Sequence, residues 1–116
     1  MRTKVRLKTK TDLTEHNIIS LLNEHRDILR RYKVKKIGLF GSFIRGEQKR
    51  QSDIDFLVEF DMTVFGENFD GYCDNFMDLV SVLEDLFGRK VDLITPGSLS
   101  PHIQPYVEKE VKWYEG

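Results

Sequence analysis

A Gly-Ser pair closes one apolar run and an Asp-x-Asp opens the next, and no other feature constrains this chain as much. Lys35 to Phe40 reads as a strand ending at Gly41, and ten residues separate Ser42 from Asp53. Asp53-Ile54-Asp55-Phe56-Leu57-Val58 then begins a second strand, expected to run to Phe60. Side chains alternate along a strand, so Asp53 and Asp55 leave one face while Ile54, Phe56 and Val58 leave the other. Two carboxylates on one face repel each other unless a cation lies between them. Oxygen-only ligands favour a hard ion such as Mg²⁺, which in enzyme sites accompanies phosphate. The pattern therefore points toward nucleotide chemistry. With 8 Gly, 6 Ser and 10 Asp in 116 residues, chance would produce this spacing in roughly three chains per thousand.

A third ligand is needed to hold metals for nucleotidyl transfer, and Asp92 is the candidate. It lies inside the apolar run Val91-Asp92-Leu93-Ile94, where a carboxylate is out of place unless paired or metal-bound. If that strand neighbours the one carrying Asp53 and Asp55, the three carboxylates converge. Two Mg²⁺ ions could then bridge them, one clamping a triphosphate and the other acidifying an attacking hydroxyl. Asp92 could also take that hydroxyl's proton. Gly41 and Ser42 supply the phosphate end: glycine admits a close backbone approach, and the hydroxyl and the next N–H groups can donate to phosphate oxygens. Arg45 is placed to add positive charge.

The chain is long enough for one compact domain, residues 1–116, with residues 1–12 as a flexible or edge leader. Its net charge of −1 hides an asymmetry: residues 1–58 carry 14 Lys and Arg against 7 Asp and Glu, residues 59–116 carry 4 against 12. A basic half suits phosphates or an acidic partner, or is simply a solvated face. No apolar run reaches membrane-spanning length and no apolar signal segment follows Met1. Cys73 is the single cysteine, which excludes an intrachain disulfide and favours a reducing cytoplasm. His16, His25 and His102 lack zinc-like spacing.

Apolar spacing predicts one helix from Thr14, its N-cap, to about Tyr32, and another from Tyr72 to Phe87 closed by Gly88. A short turn or helix is expected from Ser42 to Gln48, a loop from Asp61 to about Asp70, and a third strand over Val91–Ile94. Ser100-Pro101 reads as a helix start, with Pro105 delaying or bending that helix. Residues 111–114 carry no assignable pattern.

Three segments resemble the minimal nucleotidyltransferase domains of the polymerase-beta-type superfamily. They are Ile37-Gly38-Leu39-Phe40-Gly41-Ser42-Phe43-Ile44-Arg45-Gly46-Glu47, Ser52-Asp53-Ile54-Asp55-Phe56-Leu57-Val58 and Gly88-Arg89-Lys90-Val91-Asp92-Leu93-Ile94. Leu99-Ser100-Pro101 through Tyr106-Val107-Glu108-Lys109-Glu110-Val111 resembles the family's C-terminal segment, so the likeness covers about residues 14–114. It implies an α/β (α+β) nucleotidyltransferase fold, a small mixed β-sheet flanked by helices. It also implies phosphate contacts from Gly41 and Ser42, and Mg²⁺ bound by Asp53, Asp55 and Asp92. Stand-alone members of this size resemble bacterial or archaeal antitoxins that move AMP from ATP onto a tyrosine of a HEPN-domain toxin, in a hetero-oligomer without direct nucleic-acid binding. One position departs: Ile44 stands where the family usually has a small residue. Two other readings compete, an antitoxin that acts by binding alone, and transfer to a small molecule or a nucleic-acid 3′ end. The short chain leaves little room to hold either of the last two acceptors.

Overall fold

The computed structural model describes residues 13–49 and 51–114. Thr14 caps α1 (Glu15–Glu24) through a reciprocal box: its hydroxyl accepts the Asn17 N–H while the Asn17 carbonyl oxygen accepts the Thr14 N–H. The single helix expected to Tyr32 is in fact two, α1 and α2 (Arg26–Arg31), broken at His25. Between Leu22 and Ile28 no apolar side chain interrupts Asn23-Glu24-His25-Arg26-Asp27, so nothing there holds the helix to the core.

The strands β1 (Val34–Phe40), β2 (Ile54–Phe60), β3 (Val91–Ile94) and β4 (Lys112–Tyr114) form one mixed sheet in the order β3-β2-β1-β4. β1 runs antiparallel to β2 and to β4, whereas β2 and β3 are parallel. Parallel strands need a crossover, and α4 (Tyr72–Phe87) supplies it, ending at Gly88 as its spacing predicts. β2 starts at Ile54, one residue later than expected, where the Ile54 N–H bonds to the Lys90 carbonyl. β4, unassigned in sequence, is a three-residue edge strand.

Strand alternation divides the sheet into two unlike faces. Ile37, Leu39, Ile54, Phe56, Val58, Val91 and Leu93 enter the main core with Ile18 and Leu22 of α1 and Leu79, Leu83 and Phe87 of α4. On the opposite face Phe40 and Leu57 meet Leu99 and Val107 in a small buried cluster. Val107 belongs to α5 (Gln104–Glu110), which begins later than Ser100-Pro101 suggested. Ser100 instead organises a turn, its hydroxyl accepting the His102 N–H, and Pro105 sits in the first turn of α5, where a missing N–H costs nothing. The loop after β2 contains a 3-10 turn at Met62–Phe65 capped by Asp61. The leader of residues 1–12 lies outside the described residues. No described helix is long and apolar enough to cross a membrane.

Candidate active site

The thinly covered face carries the carboxylates. Parallel pairing puts Asp55 of β2 opposite Asp92 of β3, and antiparallel pairing puts Asp55 opposite Phe40, the residue before Gly41. Three elements distant in sequence thus bring Asp55, Asp92 and the Gly-Ser turn to one end of the sheet. Asp53 immediately precedes β2; both it and Asp92 are exposed, while Asp55 is half-buried. Burial pushes the Asp55 carboxyl up to about 6, with the neighbouring charges of Asp92, Asp53 and Glu110 adding to the rise and Arg45 opposing it. A group of carboxylates short of counter-charge behaves in this way.

Gly41 makes the turn possible. Its φ of 81° lies in the region only glycine adopts freely, and a Cβ there would collide with the Asp55 carboxylate. The chain then winds through α3 (Ser42–Arg45), four residues long, with Phe43 buried in the main core and Ile44 partly buried against it. Ser42 is partly exposed beside the turn.

Arg45 is more occupied than its sequence position suggested. Its Nε donates to Glu47 at 2.9 Å, and its Nη1 to both oxygens of Glu110 at 2.9 and 3.1 Å. Those hydrogen bonds, Glu47 first, hold the guanidinium well above its ordinary pKa. Glu110 also accepts the Gly41 N–H at 2.7 Å.

Glu110 is a residue that sequence reasoning missed, and so are two others that brace the carboxylate strands. Arg89 donates through Nη1 to the Ser52 carbonyl at 3.2 Å, tying down the approach to Asp53, and lies 5.7 Å from the Phe43 ring centroid. Glu84 accepts the Val91 N–H at 3.0 Å, one residue before Asp92. Glu84 and Glu110 look like ordinary polar-face residues of helices; only tertiary structure reveals their targets.

The acidic group fits a divalent cation in kind: its donors are all oxygen, and the repulsion that adds to burial in raising Asp55 is what such a cation would relieve. Among the described residues no three Asp, Glu, His or Cys side chains form a preformed metal cluster. Asp55 and Asp92, with Asp53 beside them, are the residues that could hold the ion.

Residues 22–114 match the nucleotidyltransferase-domain family. This chain is a nucleotidyltransferase. The protein adenylyltransferase MntA of Thermococcus cleftensis is 41% identical over 100 residues, covering 85% of this chain and 94% of the relative. A solved structure described as a toxin–antitoxin with AMP-PNP superposes with a TM-score of 0.60 at 29% identity, covering 81% of this chain and 72% of that one. The fold is also shared with a complex of tri-AMPylated Shewanella oneidensis HEPN toxin and MNT antitoxin, at a TM-score of 0.56 and 24% identity, covering 85% and 72% of the two chains. The nucleotidyltransferase domain thus spans the sheet, the Gly-Ser turn and all three aspartates.

Proposed function

We propose that this nucleotidyltransferase is a protein adenylyltransferase that moves AMP from ATP onto a tyrosine hydroxyl of a HEPN-type toxin, and silences it. The observation that carries this reading is the pairing of Asp55 with Asp92 beside the Gly41-Ser42 turn. The likeness to a protein adenylyltransferase, and to a toxin–antitoxin pair described with AMP-PNP, supports a protein acceptor and a nucleotide substrate.

In this reading the acceptor oxygen attacks the α-phosphorus of ATP. An O–P bond forms, the bond from the α-phosphorus to the bridging oxygen breaks, and pyrophosphate leaves. The hydroxyl proton passes to a carboxylate, the role this reading gives to Asp92. Gly41 and Ser42 seat the polyphosphate through the turn's backbone and the serine hydroxyl. Mg²⁺, held by Asp53, Asp55 and Asp92, would supply charge neutralisation on the phosphates. Such chemistry is mostly positioning and electrostatics, which a domain this small can provide.

The test incubates the protein with α-labelled ATP, Mg²⁺ and the product of the adjacent gene. Label should appear on that product, on tyrosine, and Asp53→Ala should abolish it. Absence of label, or equal labelling by Asp53→Ala, rules the transferase reading out. If the unlabelled partner is still neutralised by an Asp53→Ala/Asp55→Ala variant, the protein acts by binding.

A further inference from the structure

We propose that Glu110, the last residue of α5, is a positioning residue that shapes the triphosphate seat; this rests on the transferase reading above. Glu110 touches both ends of the Gly41–Arg45 segment. One carboxylate oxygen takes the Gly41 N–H at 2.7 Å, and the two oxygens together engage Arg45 Nη1 at 2.9 and 3.1 Å. It is also the more sheltered partner: 21% of its side chain is exposed, against 47% for Arg45.

A bound polyphosphate meets a turn already committed in two ways. The Gly41 N–H is spent on a carboxylate and is not open to phosphate while that bond stands. Arg45 has its charge matched by Glu47 and Glu110, so it acts as a strut across the turn rather than as a free cation. Gly41 is flanked on two sides, by the Asp55 carboxylate where a Cβ would stand and by the Glu110 carboxylate on its nitrogen. Losing the Glu110 carboxylate leaves the Gly41 nitrogen without that bond and the turn without its strut to Arg45. Because Val107 of the same helix packs in the small buried cluster under β1 and β2, α5 fixes where that carboxylate stands.

Three variants separate positioning from general stability. Glu110→Ala removes both interactions. Glu110→Gln keeps an oxygen for Gly41 but no charge for Arg45. Arg45→Met removes the ion pair and leaves the Gly41 bond. Amide hydrogen exchange at Gly41, monitored by NMR, should show protection in the wild type, in Glu110→Gln and in Arg45→Met, and none in Glu110→Ala. A charge-assisted hydrogen bond of ordinary strength implies a rise of about tenfold or more in the KM for ATP of Glu110→Ala, with kcat less affected. Partial rescue by Glu110→Gln is expected, and affinity for AMP-PNP should obey the same order. A Gly41 amide that stays protected in Glu110→Ala overturns the proposal, as does a KM equal to wild type. Failure of the wild type to bind AMP-PNP refutes the seat and the transferase reading together; binding without transfer to the partner refutes only the latter, because the exchange and AMP-PNP results still decide the role of Glu110.

Discussion

The Asp55 carboxylate lies against the position on Gly41 where any other residue would carry its Cβ. The tight turn and the half-buried acid therefore require each other: the turn closes because Gly41 lacks a side chain, and Asp55 is sheltered because the turn closes over it. Gly41→Ala must strain both, since φ is 81° as well. The expected cost is about 1–3 kcal/mol from backbone strain alone. Urea denaturation should register that cost, and nucleotidyl transfer should fall further than the lost stability accounts for. A variant as stable and as active as wild type would contradict this packing.

Asp55 also sets a pH dependence whose sign is fixed. Its carboxyl titrates near 6 in the native chain against an ordinary value of 3.8. Between those values the native state holds a proton that the unfolded state has released, so stability falls as pH rises through the interval. The contribution is fully present below about pH 4 and gone above about pH 6. Solvent screening of a half-buried acid reduces its size to on the order of 1 kcal/mol. Denaturation midpoints in EDTA from about pH 4 to 7 should show this slope in wild type and lose it in Asp55→Asn. Added Mg²⁺ should raise wild-type stability most at the upper end of that range. A slope of the opposite sign, or one unchanged by Asp55→Asn, would remove the electrostatic account.

Much of this arrangement is legible in the sequence alone. Phe76, Leu79, Val80, Leu83, Leu86 and Phe87 recur at helical spacing with a glycine after them, so α4 is readable end to end. Asp53 and Asp55 stand out because alternation puts two carboxylates on one face, and Asp92 because a carboxylate is costly in an apolar run. The features that escape such reading depend on partners far along the chain. The bond from Gly41 to Glu110 spans 69 residues, and nothing local distinguishes Glu110 from the other charges of α5. Likewise β4 is only three residues long, with Trp113 set opposite Gly38, so its strand character comes from β1 rather than from its own pattern. The expectation that Arg45 adds charge to phosphate rests on its proximity to Gly41 in sequence, whereas its ion pairs with Glu47 and Glu110 follow from tertiary structure.

Asp92→Asn separates two jobs of one carboxylate. Asp92 is the largest charged contributor to the raised pKa of Asp55, so its neutralisation should move the Asp55 titration toward the ordinary aspartate value, as measured by carboxyl ¹³C NMR. If Asp92 also takes the proton or helps to hold the metal, the same variant should lose about 10²–10⁴-fold in kcat. A shift of Asp55 without the loss of rate would leave Asp92 an electrostatic neighbour and assign the proton elsewhere.

The two sheet faces predict opposite relations between stability and activity. Leu83 is fully buried in the main core, away from the carboxylate face, so Leu83→Ala should cost about 2–5 kcal/mol. Where the variant is still folded, its KM for ATP should be close to wild type. Val107 belongs to the small cluster with Phe40, Leu57 and Leu99 that seats α5. Val107→Ala removes less apolar volume and should cost about 1–2 kcal/mol. Yet it loosens the helix that presents Glu110 to Gly41, so it should raise the KM for ATP several-fold. Thermal melts paired with steady-state kinetics at a temperature where both variants are folded would decide the matter. If Leu83→Ala perturbs ATP binding as much as Val107→Ala does, the small cluster has no special hold on the site.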